Sequence, residues 1–310
     1  MNKVKTLIDI YREKGIKSSG IEIKDYFLFG DGAVYTKGIL GKKYHHKLHI
    51  YNQLGYWPKI ETPRTFNEKI IHRKLYTDNE LFSIVADKWR VREYVAEKVG
   101  DEILSEVYHV TDDPDTISFD ELPDEYVIKP THMSGRIIIF GEDEDPDHNS
   151  IKRSCRKWLN TTYGSMQEEY WYGEIKPRII IEERLKDDGY YLPIGYDFFV
   201  FHGEVKAVCV YQKTSENVEK TINYYTTDWD KINIIKRGDF KRGEDLSKPK
   251  KLDEMIEVAE ALGDYFNHIR VDLYSPNNQH VVFGELTVAD GAGEMQFVPQ
   301  EYDFKFGSYW

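Results

Sequence analysis

Two short segments late in the 310-residue chain constrain its fold most. His268-Ile-Arg-Val-Asp-Leu-Tyr274 and His280-Val-Val-Phe-Gly-Glu-Leu-Thr-Val288 alternate apolar and polar residues and are rich in β-branched types, as half-buried strands are. Asn277-Asn278, after Pro276, marks a tight turn between them and so predicts a hairpin. A period of two then sorts the side chains. Arg270, Asp272 and Tyr274 share one face of the first strand, and Phe283, Glu285 and Thr287 share one face of the second. In register, Asp272, Glu285 and Thr287 meet beside Arg270. Two carboxylates and a hydroxyl on a rigid surface are the oxygen ligands Mg2+ prefers, with nucleotide phosphates and water completing its shell. The same residues also fit a solvated sheet face on which Arg270 pairs with an acid. The choice depends on whether the rest of the chain supplies a nucleotide site.

Earlier segments read as follows. Leu7, Ile8, Ile10 and Tyr11 suggest a short helix ending near Gly15. Lys42-Lys43-Tyr44-His45-His46-Lys47 is basic and aromatic, and suits either a solvated patch or an anion contact. Thr65-Phe-Asn-Glu68 is a capping-box pattern that opens a helix with Phe66, Ile70, Ile71 and Leu75. A second helix starts near Asp87, carries Val91, Val95 and Val99, and stops at Gly100. Residues 112–124 form an acidic loop after a short strand at Glu106 to Val110. Tyr126 to Pro130 and Arg136 to Phe140 read as strands about a Thr131–Gly135 turn, and Asn149 caps a helix through Trp158. Arg178 to Leu185 is a strand running into a loop, 197–212 a hairpin about Gly203, and Thr221–Thr226 a strand. Pro249 opens a helix closed by Gly263. This mixed order of hairpins and crossovers argues against a simple Rossmann or barrel arrangement.

Several of these elements bear on phosphate chemistry. Lys129 ends an apolar strand and faces the small-residue turn of Ser134 and Gly135, ahead of Arg136. A lysine with turn amides can grip a triphosphate, although the Walker spacing is absent. Lys88, beside Asp87, offers a second ammonium, or is a plain surface lysine after a cap. The strand Ile179–Ile181 leads into Glu182, Glu183 and Leu185, which suit an adenine edge and ribose hydroxyls, or a strand ending in exposed charge.

In their order these motifs resemble the ATP-grasp superfamily, and within it the TupA-like (teichuronopeptide biosynthesis) family. The residues that carry the likeness are Thr65-Phe-Asn-Glu-Lys69, Ala86-Asp-Lys88 with Val91-Arg-Glu-Tyr-Val95, and Leu122-Pro with Tyr126-Val-Ile-Lys-Pro130. They continue in Ile181-Glu-Glu183, Arg270-Val-Asp272, Gly284-Glu-Leu-Thr287, Pro299-x-x-x-Asp303 and Gly307, over roughly residues 60–310. The resemblance implies an α+β ATP-grasp fold: two α+β subdomains clamp ATP, and a smaller N-terminal α/β region precedes them. It implies a division into an N-terminal region (1–60), a helical region (61–124), a small subdomain with phosphate loop and hinge (125–185) and a large subdomain with the metal site (186–310). By the same resemblance Lys88 and Lys129 hold phosphates, with Ser134 and Gly135 in the phosphate loop. Glu182, Glu183 and Leu185 line the adenine hinge. Asp272, Glu285 and Thr287 bind Mg2+, and Arg270, with Lys129, stabilises the transferring group. Thr287 departs from the family, in which asparagine is usual, and so does Asp197, where a lysine is common.

The implied chemistry is ATP- and Mg2+-dependent ligation of a carboxylate and an amine through an acyl phosphate. The implied substrates are a uronic acid of a surface polysaccharide and an amino acid or simple amine. Trp171, Tyr172, Tyr224 and Trp229 suit sugar stacking as well as core packing, and Asp290 or Glu294 could take the amine's proton. The competing readings are a glycosyltransferase, from Asp-x-Asp spacings at Asp113/Asp115, Asp143/Asp145, Asp145/Asp147 and Asp228/Asp230, and a non-catalytic glycan-binding protein. Net charge of −12 argues against nucleic acid as a partner. With no apolar run of membrane length, no signal-peptide pattern and only Cys155 and Cys209 as thiols, the expected setting is cytoplasmic.

Overall fold

The computed structural model describes residues 28, 33–141, 147–165, 167–236 and 241–310. The short helix expected near Leu7, and Asp143 and Asp145 of the acidic loop, lie outside these residues.

The first described elements are helices, α1 (Ala33–Leu40) and α2 (Lys42–Leu54). The basic stretch therefore lies on α2, where its lysines have partners: Lys42 pairs with Glu168 at 2.6 Å, and Lys43 and Lys47 with Glu61 at 2.9 Å. His45 and His46 are buried. α3 (Phe66–Tyr76) opens with the predicted capping box: Glu68 N donates to Thr65 Oγ1 at 3.2 Å, and Thr65 N donates to Glu68 Oε2 at 3.1 Å. α4 (Glu80–Ala86) was not legible as a separate helix, because Asn79 caps only two turns. Asp87 ends α4 and accepts from Trp89 N at 2.9 Å, so it shapes the turn into α5 (Val91–Val99) rather than capping that helix directly.

β1 (Val107–Thr111), β2 (Tyr126–Pro130), β3 (Ile138–Phe140) and β4 (Ile179–Glu183) form an antiparallel sheet in the order β1-β4-β2-β3. β1 joins this small sheet although it lies before residue 125. α6 (His148–Leu159) packs on it through Ile151 and Cys155, beside Tyr126, Ile128, Phe140, Ile179 and Ile181. The cap of α6 is Asp147, whose Oδ1 accepts from Asn149 N and Ser150 N at 3.0 and 3.1 Å, not Asn149.

The larger sheet is built from long apolar strands, β5 (Leu192–Phe201) and β6 (Glu204–Lys213), which turn about Gly203. β7 (Thr221–Tyr225), β8 (Lys231–Ile232), β9 (Ile235–Lys236) and β10 (Lys241–Arg242) follow, then α7 (Leu252–Gly263). The predicted hairpin is formed by β11 (Ile269–Tyr274) and β12 (Val282–Thr287), completing the order β10-β7-β6-β5-β11-β12, with β8 against β7. Its connection is longer than a tight turn, with Asn277 and Asn278 at φ 51° and 55°. β13 (Phe297–Val298) pairs with β9, and α8 (Glu301–Tyr309) closes the described chain.

The principal core lies under the large sheet and includes Phe66, Phe82, Val91 and Tyr94 of the preceding helices. Trp171 and Tyr224 are almost fully buried in it, and Trp229 stacks on Tyr225 at 4.2 Å, so these rings are packing residues. Among the described residues no helix is long and apolar enough to cross a membrane.

Candidate active site

A cleft of about 470 Å³ opens between the two sheets. Its lining includes Lys88, Lys129, Ser134, Gly135, Glu182, Glu183 and Leu185 on one wall and Arg270, Asp272 and Glu285 on the other. Residues nearly 200 positions apart are thus gathered by the fold. Thr287 does not line the cleft; its hydroxyl reaches Glu285 Oε1 at 3.5 Å.

On the small-sheet wall, β2 and β4 place Lys129 and Glu182 near one another, and the ammonium donates to Glu182 Oε1. Burial lowers the Lys129 pKa, but Glu182, with Tyr274 and Glu285, outweighs it and the net shift is upward. The sequence treats these two as separate contacts; the structure joins them. Ser105 donates to the other Glu182 oxygen at 3.4 Å. Gly135 has φ +70°, and no described residue stands within 4 Å of where a Cβ would project, so the loop's backbone is open to a ligand. Lys88 ties the junction after α4 to this loop: its backbone N–H donates to Thr131 O at 3.1 Å and its ammonium to Met133 O at 3.0 Å. The same ammonium is 3.8 Å from Glu285 and so reaches toward the far wall.

On the large-sheet wall the predicted register is present: Asp272 faces Glu285 and Arg270 faces Thr287 across β11 and β12. A bulge after Asp272 breaks the alternation, so Phe283 comes opposite Leu273 instead of keeping step with Glu285. Gly284 is required there, because a Cβ would lie 2.9 Å from Asp272 O. On its other side Asp272 faces Asp197 of β5, so three acids run across adjacent strands in one row. Like charges placed opposite each other are destabilising unless a cation joins them.

Arg270 is that cation. It holds Asp272 through two hydrogen bonds of 2.7 and 2.6 Å, bonds Asp290, and lies 3.6 Å from Glu285 and 3.7 Å from Asp197. Burial opposes its charge, but Asp272, Asp290 and Asp197 hold its pKa well above the usual value. One guanidinium cannot match four carboxylates. Burial pushes the Asp197 carboxyl upward, against Arg270, and among the described residues its Oδ1 has no hydrogen-bond partner. For Glu285 burial acts upward, but Lys88, Arg270 and Lys129 outweigh it and the net shift is downward.

The acids close on Arg270 rather than on a common empty centre, and among the described residues no three metal-ligating side chains converge. Asp272 and Glu285 nevertheless fit a hard divalent cation: they are opposed carboxylates in a region of surplus negative charge, with further ligands left to phosphates and water. Asp290 is committed to Arg270, and Glu294 pairs with His49 at 2.8 Å. The described Asp-x-Asp pairs, Asp113/Asp115 and Asp228/Asp230, do not line the cleft.

Sequence reasoning missed Arg92, Arg184, Lys220, Tyr211 and Tyr274, all of which line the cleft. The alternation that places Tyr274 beside Asp272 and the Val91-Arg-Glu-Tyr-Val95 motif that contains Arg92 were the signals for two of them.

A family model described as TupA-like ATPgrasp matches residues 68–310. No curated protein matches the chain. Among solved structures, a D-alanine–D-alanine ligase from Bacillus anthracis complexed with ATP is 15% identical, with 67% of this chain and 57% of that chain covered and a TM-score of 0.42. The ATP-grasp ligase PsnB complexed with a minimal precursor is 12% identical, with 67% and 53% covered and a TM-score of 0.38. An L-amino acid ligase from Bacillus licheniformis is 14% identical, with 67% and 42% covered and a TM-score of 0.38. The chain therefore spans between 42% and 57% of the lengths of these three proteins.

Proposed function

The chain belongs to the TupA-like ATP-grasp family, and from that membership and the charge layout of the cleft we propose that it is an ATP- and Mg2+-dependent carboxylate–amine ligase. The observation that carries this reading is the opposition of two lysines and an open loop on one wall to Arg270, Asp272 and Glu285 on the other. Phosphoryl transfer asks a protein for positioning and for charge on the moving oxygens, and this cleft is equipped for both.

In this reading Glu182, Glu183 and Leu185 receive the adenosine end of ATP, and Lys88, Lys129, Ser134 and Gly135 hold its phosphates. Asp272 and Glu285 hold Mg2+, with Thr287 orienting Glu285. The metal supplies charge that neutralises phosphate oxygens. Arg270, fixed by Asp272 and Asp290, faces the oxyanion that develops as a carboxylate attacks the terminal phosphorus. The carboxylate oxygen bonds to phosphorus, the bond to the ADP oxygen breaks, and an acyl phosphate results. An amine then adds to the acyl carbon, phosphate leaves, and the amine's proton passes to solvent or to a nearby carboxylate.

The substrate reading is a uronic acid joined to an amino acid or simple amine in capsular or other surface polysaccharide, in a cytoplasmic setting. It rests on family membership rather than on any side chain of the cleft. The test is ADP release with Mg-ATP, pooled amines and a panel of uronic acids and their nucleotide conjugates, with Glu285→Ala as control. ADP that needs both a carboxylate and an amine and disappears in the variant is the expected result. A phosphorylated product without an amide would make the protein a kinase, and release of a nucleoside diphosphate from a sugar nucleotide would make it a glycosyltransferase.

A further inference from the structure

Lys220 precedes β7, and its side chain lines the cleft on the large-sheet wall. Its ammonium lies over the ring of Tyr211 on β6, 4.5 Å from the centroid. Tyr211 in turn lies across Gly195 of β5, where a Cβ would come within 1.9 Å of the ring. The Tyr211 hydroxyl is 3.1 Å from that of Tyr274 on β11, next but one to Asp272. Three strands thus build one platform: a glycine leaves the space, a tyrosine fills it and is held by its neighbour, and a cation rests on top.

Among the described residues no carboxylate forms an ion pair with Lys220. Burial lowers its pKa, and the pull of Asp197 from a distance only partly offsets that. A desolvated ammonium facing a cleft without an acid against it is an incomplete contact. The other lysines differ: Lys129 is held by Glu182, and Lys88 by Met133 O.

We propose that Lys220 binds an oxyanion of a substrate in this cleft, either the terminal phosphate of the nucleotide or the carboxylate that it activates. The assignment rests on the Mg-ATP ligase reading. Both groups are acceptor-only oxyanions, and either would complete the contact of the ammonium on the face that Tyr211 leaves open.

The test is calorimetric titration of the wild type, Lys220→Met and Lys220→Arg with Mg-ATP, Mg-ADP, and D-glucuronate added to ADP-loaded protein. Thermal melts show which variants are folded, and Lys220→Gln replaces Lys220→Met if that variant is not. The expected loss in Lys220→Met is about 10- to 100-fold, as for one charge-assisted contact. If the partner is the terminal phosphate, the loss falls on ATP and spares ADP. If it is the carboxylate, the loss falls on glucuronate and spares both nucleotides. Lys220→Arg keeps most of the affinity. Affinities equal to wild type for all three probes in a folded variant, including a shared lack of glucuronate binding, overturn the assignment and leave the nucleotide reading in place. A wild type that binds no nucleotide sinks the nucleotide reading itself.

Discussion

Lys129 on the small sheet meets one carboxylate, Glu182, whereas Arg270 on the large sheet meets four, Asp197, Asp272, Glu285 and Asp290. Around that pair the first wall carries more cation than acid, with Lys88, Arg92, Lys129, Arg136 and Arg184 against Glu182 and Glu183. The second carries more negative charge than its arginine can match, on strands whose register leaves the acids no room to separate. A solvated sheet face needs no such arrangement. Surplus acid held in place by strand pairing is a feature of a surface that expects a further cation.

The contrast breaks first at Arg270. Arg270→Met strands four acids and is expected to cost about 3–5 kcal/mol of stability, as removal of one partner from a buried ion cluster does; urea unfolding measures it. Glu285→Ala removes a proposed metal ligand while relieving repulsion. Turnover is expected to fall about 100- to 1,000-fold with the melting temperature unchanged or raised, read from steady-state ADP release and a thermal melt. Lys129→Met is expected to weaken Mg-ATP binding about 10- to 100-fold and to leave stability within about 1 kcal/mol, since its pair is partly exposed; calorimetry and unfolding together show the split.

The smallest effect is at Asp197. Asp197→Asn removes one like charge opposite Asp272 and is expected to stabilise the metal-free protein by about 1 kcal/mol or less. Its pH dependence has a definite sign. Burial holds the folded-state pKa of Asp197 above its unfolded value, so its contribution to stability is complete at low pH and is lost as pH rises through the folded pKa. Denaturation curves from pH 4 to 8 should show a decline that Asp197→Asn flattens.

Much of this was legible because strand alternation is local. The faces of β11 and β12 follow from a period of two, and the capping box at Thr65 from four consecutive residues. The bulge at Gly284 was not, since an extra residue is visible only against its partner strand. Lys220 and Tyr211 were not, because the β5-β6-β7 meander brings them to the cleft through pairings that no short window contains. α8 was missed too, although two motifs that carry the family resemblance meet there. Asp303 accepts from Asn67 N at 3.0 Å and from the Tyr56 hydroxyl at 2.9 Å. Gly307 packs where a Cβ would lie 2.2 Å from Arg64 O. The Thr65–Lys69 and Pro299–Gly307 motifs therefore join the preceding helices to the end of the domain, and the chemistry-bearing part of the resemblance is narrower than its sequence span. Buried Arg73 works similarly, bonding Val288 O, His268 O and Asn267 Oδ1 at the ends of the hairpin strands.

The central claim is that the acid-rich wall holds a divalent cation beside a nucleotide. Mn2+ binding in the presence of ADP, followed by electron paramagnetic resonance in the wild type, Asp272→Asn and Glu285→Gln, tests it most directly. The account predicts that the wild type takes up the ion with the nucleotide and that both variants, folded, lose it. Equal uptake by all three would contradict the assignment of Asp272 and Glu285 and return the row of acids to a merely structural role around Arg270.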